Sequence, residues 1–382
     1  SLQKLADTVT DPERKVDLYY RLGILNEENL MNRKVAAEHF LSALDVVPGH
    51  LPSLEAIRKI YVDEGDWQEA VKILETEQEN TENARKRSEL QYELGTIYRD
   101  RLDEETDAIT WYEEALKSNP DNQAAAEPLV DVYIESERWE EAQTQLDMLI
   151  RLGGKRPGSE LQPLQLKLAQ VADKLGNLEK ALQAYDEAFA LDSSHLPTVL
   201  GLADVQFRLE DWDKAFKFYQ MVLVHHRDKQ ADDEIVEIFY RLGSIKAKLN
   251  ERRKALNMFD KALEIDPIHR ETLQEVIALH EDQNNYEQVI HYKKILMDAV
   301  DPDEQFDLLV EIGDIWQDKL QNQQKAIASY VDATNLKPDD RPTLHKLLPL
   351  YQATKQWREV VDVISRVAAM EEDTEKQAKL YY

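Results

Sequence analysis

Residues 16–50 read VDLYYRLGILNEENLMNRKVAAEHFLSALDVVPGH, and the same text returns at 88–122 as SELQYELGTIYRDRLDEETDAITWYEEALKSNPDN. Each copy places Leu-Gly early (Gly23, Gly95), then a trio of Ala, aromatic and Ala (Ala36/Phe40/Ala43, Ala108/Tyr112/Ala115), then proline (Pro48, Pro120). Two later copies keep the pattern: Gly243, Ala255/Phe259/Ala262 and Pro267, then Gly313, Ala326/Tyr330/Ala333 and Pro338. A fifth departs from it, with Ala169 in place of glycine, Ala181/Tyr185/Ala188 as the trio, and Ser193 in place of proline. Self-similarity at a fixed period is the signature of a stacked repeat architecture, and it decides the fold.

A second kind of unit lies between these copies. It is marked by an aromatic residue just before a helix: Trp67, Trp139, Trp212, Tyr286 and Trp357, spaced 72, 73, 74 and 71 residues apart. Five double units follow, ten helical hairpins in all, at about 16–84, 88–156, 162–229, 236–303 and 306–374. From a first-type unit into its second-type partner the frame runs on without insertion, as Ala36 to Ala70 or Ala255 to Val289 shows. Extra residues enter at the four seams between double units. The longest irregular stretch is GGKRPGSELQP, residues 153–163.

These residues resemble the tetratricopeptide repeat (TPR), a helix–turn–helix unit whose helices A and B approach closely at small residues while aromatics fill the gap between hairpins. The resemblance covers essentially the whole chain and implies an all-α solenoid, coiled as a right-handed superhelix. Residues 1–10 read as the tail of a preceding helix B. Residues 11–382 read as one continuous array, with 375–382 opening a truncated further repeat; a segment of a longer array is the expectation. The second-type units depart from the family at its glycine position, carrying Arg58, Val130, Ala203, Ile277 and Leu348. Pro128 and Pro349 fall inside A helices, where a missing N–H favours a kink.

Composition agrees with a helical solenoid. The 382 residues hold 11 glycines, too few for a turn-rich β fold, and no cysteine, which removes disulfides, thiol nucleophiles and cysteine-ligated metals. Acidic residues number 75 against 47 basic, a formal charge of −28. That balance opposes nucleic acid and anionic membrane surfaces, which need a basic footprint, and favours a cationic partner. No stretch is apolar enough for direct membrane insertion. The expected location is the cytoplasm, with the periplasm as the other compartment consistent with the composition.

Chemistry is sparse. There is no His-Glu-x-x-His, no Gly-x-Ser-x-Gly and no dinucleotide glycine motif. In GGKRPGSE, Gly158 is followed by Ser159 and Glu160 rather than by the lysine of a phosphate loop. His50, His195 and His269 share one frame position, the residue that caps the next helix. His280 and His291, beside Glu281, form the one arrangement with metal-ligand character, and a structural role is the expectation. A carboxylate becomes catalytic when a walled site shifts its pKa, which an open solenoid does not provide. The expectation is a non-enzymatic protein with no cofactor and no metal.

The resemblance also implies where a partner would sit. In TPR arrays helix A lines a concave groove, and its groove positions here are rich in acid. One acidic stretch holds Glu27, Glu28, Glu55, Asp63, Asp100, Glu127, Asp131 and Glu135; a second holds Glu271, Glu281, Asp282, Asp307, Asp314 and Asp318. Tyr20, Tyr92 and Tyr240 recur at one groove position, and Tyr382 begins the next copy. The family's clamp for a C-terminal carboxylate needs Lys and Asn, yet the paired positions hold Tyr20/Ile24, Tyr92/Thr96 and Tyr240/Ser244. The leading expectation is therefore a scaffold that binds basic or amphipathic protein segments, or a folded partner with a Lys/Arg-bearing surface, along an acidic, tyrosine-bearing groove. Three alternatives stand beside it. The text looks like that of large deltaproteobacterial TPR proteins, which implies an effector for a small Ras-like GTPase in polarity or motility. The others are a periplasmic superhelix of a polysaccharide export system and the substrate-recruiting arm of an enzyme. Uncapped ends are a route to self-association.

Overall fold

A computed structural model describes residues 2–28, 30–154 and 156–370. The end of the fifth double unit, the start of a further repeat, and Tyr382 lie outside the described residues. Every regular element among those described is helical. After α1 (Leu2–Thr8), even-numbered helices are the A helices and odd-numbered ones the B helices of ten hairpins. The first six are α2 (Pro12–Glu28)/α3 (Arg33–Val46), α4 (Leu51–Glu64)/α5 (Trp67–Asn80), α6 (Ala84–Ile97)/α7 (Glu105–Ser118), α8 (Gln123–Glu135)/α9 (Trp139–Leu152), α10 (Gly158–Lys174)/α11 (Leu178–Leu191) and α12 (Leu196–Arg208)/α13 (Trp212–His225). The last four are α14 (Asp232–Lys248)/α15 (Arg252–Ile265), α16 (Arg270–Asp282)/α17 (Tyr286–Leu296), α18 (Pro302–Asp314)/α19 (Gln323–Leu336) and α20 (Arg341–Ala353)/α21 (Trp357–Ala369). None of the described helices is long and apolar enough to cross a membrane.

Packing divides the chain into two compact units, Ser1–Gly201 and Leu202–Tyr382. Within the first, Phe40 of α3 packs with Leu54, Ile57 and Ile60 of α4. Val71 and Leu74 of α5 then meet Leu90, Leu94 and Ile97 of α6. The second unit repeats the scheme: Phe259 of α15 meets Val276 and Leu279 of α16, and Tyr330 of α19 meets Leu344 and Leu347 of α20. Each cluster joins one hairpin to the next, so burial runs along the stack instead of gathering in one core. A fully buried aromatic of this kind contributes about 1.5–3 kcal/mol.

The spacing of glycine and aromatic has a direct geometric cause. A Cβ built on Gly23 would stand 2.3 Å from the Phe40 ring; at Gly95, Gly243 and Gly313 the rings of Tyr112, Phe259 and Tyr330 would lie 2.6, 2.4 and 2.4 Å away. Only a residue without Cβ lets helix A lie flat against the helix-B ring. The fifth first-type copy solves the problem differently. Its Tyr185 ring rests on Gly201 of the next A helix, where an added Cβ would meet it at 2.2 Å.

Each hairpin turn contains one residue with positive φ: Met31, Gly65, Asp103, Glu137, Gly176, Glu210, Asn250, Asn284, Gln321 and Lys355. Seven turns close with the N–H of the residue before helix B bonding five residues back, as in Asp66 to Tyr61 O (2.9 Å) and Glu251 to Lys246 O (2.8 Å). Three reach back six: Asn32 to Asn26 O, Glu104 to Tyr98 O and Asn322 to Trp316 O, at 2.9, 2.9 and 2.7 Å. In those first-type units glycine and the first alanine lie one residue farther apart (Gly23 to Ala36) than in the fourth double unit (Gly243 to Ala255). Two of the three absorb the extra residue in a π-helical turn, at Tyr98–Leu102 and Ile315–Lys319.

One expectation changes. Within 153–163 the irregular part is short, because α10 begins at Gly158 and runs through Pro163. Pro128 and Pro349 lie inside the A helices α8 and α20, as expected. The three histidines stand just before their helices, with Nδ1 of His50, His195 and His269 at 2.8, 3.0 and 2.8 Å from the hydroxyl of Ser53, Thr198 and Thr272, but the His50 side chain makes no cap bond to the α4 backbone. His269 Nδ1 also accepts from Thr272 N.

Candidate partner-binding face

The acidic residues singled out above stand on A helices or at their ends, and most of them are engaged by cations of the same chain. In the first unit Glu55 faces Lys86 of the next A helix (3.7 Å), Asp63 faces Arg33 (3.1 Å), Glu127 faces Arg156 (2.7 Å) and Asp131 faces Lys167 (2.5 Å). Asp100 is held by the adjacent Arg99, whose hydrogen bond keeps the carboxyl below its ordinary range. In the second unit Glu281 lies 3.6 Å from Lys293, Asp282 lies 3.4 Å from Arg252, and Asp314 binds Lys346 through both oxygens at 2.6 and 2.7 Å. The Tyr330 hydroxyl also donates to Asp314, at 2.6 Å. Burial, and then this carboxylate, push the phenol's pKa well up.

Most of these pairs are exposed and therefore individually weak, about 0–1 kcal/mol each. Their geometry matters more than their strength. Lys86, Arg156, Lys167 and Lys346 come from the following A helix or the turn leading into it, so each carboxylate shares its cation with the next hairpin. Glu271 faces only the His269 ring, at 3.6 Å; Glu27, half-buried, and Glu28, Glu135, Asp307 and Asp318, exposed, are the members of the set for which the described residues show no ion pair.

The three tyrosines are half-buried and packed within the stack. Tyr20 lies 5.8 Å from the Phe40 ring and 5.7 Å from His50; Tyr240 lies 6.2 Å from Phe259 and 5.8 Å from His269. Tyr92 sits 5.7 Å from Tyr112. Each thus leans on its own helix B, and two of them also on the histidine that caps the next A helix.

One departure from the family pattern becomes intelligible here. Arg58 stands where first-type units carry glycine, and it bridges three helices. Its Nε donates to Glu77 of α5 at 2.8 Å and its Nη1 to Glu93 of α6 at 2.9 Å. Glu77 is 1% exposed, and burial raises its carboxyl pKa against the pull of Arg58. Sequence reasoning missed this cluster because Glu93 lies about a whole repeat beyond Arg58. His280 stacks on Tyr292 at 5.6 Å and His291 meets the same ring edge-on at 5.1 Å. Among the described residues no three His, Asp or Glu side chains converge as metal ligands.

The comparisons with known proteins agree with this architecture. Sequence models described as tetratricopeptide repeat match residues 105–168, 59–126 with 166–233, and 236–269, together more than half of the chain. The DnaJ homolog subfamily C member 7 homolog of Schizosaccharomyces pombe is 25% identical over 307 residues, which is 72% of this chain and 61% of that protein. The chain thus spans less than two thirds of that relative. Among solved structures, YrrB, a TPR protein with an unusual peptide-binding site, is similar at 22% identity and TM-score 0.40, over 49% of this chain and 90% of that one. Naa15/Naa10 bound to HypK-THB is similar at 14% identity and TM-score 0.43, over 96% of this chain and 66% of that one. Pseudomonas aeruginosa PilF is similar at 16% identity and TM-score 0.35, over 69% of this chain and 97% of that one. With ten phased hairpins and these matches, the chain belongs to the tetratricopeptide repeat family.

Proposed function

We propose that this chain is a non-enzymatic scaffold whose acidic A-helix faces bind Lys/Arg-bearing segments of a partner protein. The observation that carries the reading is the ion-pair pattern. Eight of the singled-out carboxylates already hold a lysine or arginine side chain at 2.5–3.7 Å. The face therefore presents carboxylates spaced and oriented for cations, with intrachain residues as exchangeable occupants. Weak exposed pairs are suited to that exchange, because a partner's guanidinium or ammonium replaces one cation with another at little net cost. Glu27, Glu28, Glu135 and Asp318 supply charge not committed to any pair. Tyr20, Tyr92 and Tyr240 add rigid, partly exposed aromatic contact area beside it.

The reading is tested by capture from source-cell lysate with wild type and with a variant carrying Glu27→Lys, Glu28→Lys, Glu135→Lys and Asp318→Lys. Proteins retained by wild type and released by moderate salt are expected to be lost from the variant, while its thermal midpoint stays unchanged. Equal retention by both would refute the acidic-face reading.

A further inference from the structure

Two seams between double units are bridged by a buried charge, and they differ in its sign. Glu93 and Glu311 hold one frame position, each two residues before the glycine of a first-type A helix. At the fourth seam Glu311 pairs at 2.7 Å with Lys293 of α17, which also lies 3.6 Å from Glu281. The buried member there is the cation, and both carboxylates reach water. At the first seam the buried member is an anion. Glu77 of α5 is 1% exposed; its Oε2 accepts from Arg58 Nε, and its Oε1 is buried with no partner among the described residues.

The charges facing Glu77 leave it short of compensation. From α4 come Arg58 and Glu55, and from α6 Glu93 and Lys86, with Glu55 and Lys86 themselves 3.7 Å apart. Arg87 of α6 is turned to the Thr81 carbonyl. Three carboxylates thus share two cations, and Arg58 is divided between two of them. A carboxylate taken out of water needs its charge matched and its oxygens bonded, and neither condition holds at Oε1.

We propose that Glu77 is a proton-operated switch at the first seam: a proton from solvent adds to Oε1, and Arg58 turns from Glu77 to Glu93. The protonated carboxyl no longer needs a cation, and Glu93, half-buried on the A helix α6, has Arg58 to itself. The junction then carries one negative charge fewer. Its effect on a cationic partner rests on the acidic-face reading; the proton uptake does not. Burial holds this carboxyl above its ordinary range despite Arg58. The folded chain therefore binds the proton more tightly than the unfolded one. The stability so gained is present in acid and is lost as pH rises through the folded value.

The test follows the carbon-13-labelled side-chain carboxyls of glutamate in the full chain from pH 7.5 to 4.5. The Glu77 signal, identified as the one missing from Glu77→Gln, should titrate at higher pH than exposed glutamates such as Glu140. The Arg58 Nε–H signal should move with the same midpoint, and should stay still over that range in Glu77→Gln. The difference in melting temperature between wild type and Glu77→Gln should shift in favour of wild type as pH falls. Glu93→Gln is the second check should Glu77→Gln not fold: with Arg58 left to Glu77 alone, the late-titrating signal should shift to lower pH. A Glu77 that titrates with the exposed glutamates, an Arg58 signal indifferent to Glu77→Gln, or a late signal unmoved by Glu93→Gln would overturn the proposal.

Discussion

Phe259 and Tyr185 hold the same place on helix B of two first-type hairpins, yet they rest on different glycines. Phe259 presses on Gly243 of its own helix A, whereas Tyr185, with Ala169 behind it, presses on Gly201 of the next hairpin. A stack needs one close approach for each ring, and either neighbour can supply it. Where the glycine lies within the hairpin, the ring closes A on B; where it lies beyond, the ring locks one hairpin onto its successor.

The largest expected effect comes from removing a ring altogether. Phe259→Ala should cost about 3–5 kcal/mol of stability in urea unfolding of the second unit, because the close-packed site cannot collapse around the void. Filling the glycines should cost less, about 1–3 kcal/mol each, since a ring must shift to admit a methyl group. The comparison is sharpest in the pair Gly201→Ala and Ala169→Gly. The first should destabilise like Gly243→Ala and the second should bring no gain; a silent Gly201→Ala would mean that Tyr185 packs elsewhere.

The turns allow a smaller test in the opposite direction. Glu210 has φ 59° and no compensating need for its side chain in the turn, so Glu210→Gly should stabilise by up to about 1 kcal/mol. Gly65 already fills the equivalent position of its own turn. Equal or lower stability in thermal melts of the Glu210→Gly variant would show that the left-handed residue is not strained there.

The smallest effect is a pH dependence at His50, between the two hairpins of the first double unit. Burial holds the His50 pKa below its ordinary value of 6.5, against the opposing pull of Asp17. The folded state thus binds this proton less tightly than the unfolded one. The resulting stability is present above 6.5 and is lost as pH falls below it. His50→Asn removes the titrating ring while leaving a good N-cap residue at the start of α4, and should flatten that part of the stability profile, which melts at pH 7.5 and 5.5 would show.

The hairpin frame was legible because sterics force it: a glycine beneath a ring and a fixed spacing to the next alanine are visible in linear text. The wide turns were less visible, since alanine-to-alanine spacing hides the one-residue insertion that Gly23-to-Ala36 spacing reveals. Gly201 escaped notice because it stands off the family's glycine position. The acidic positions were legible by type and place, but their occupants were not. Lys86, Arg156 and Lys346 lie about a repeat away in sequence, and only stacking brings them to Glu55, Glu127 and Asp314.

The central claim is that the A-helix faces hold cationic segments of a partner protein. Photo-crosslinking in source-cell lysate tests it most directly, with a photoreactive amino acid placed at Glu28, Glu135 or Asp318 and, as control, at Lys117 on the B helix α7. Crosslinks at the three A-side positions should join Lys/Arg-bearing protein segments and vanish at high salt, with few at Lys117. Crosslinks that favour Lys117, carry only glycans, or persist unchanged in salt would contradict it.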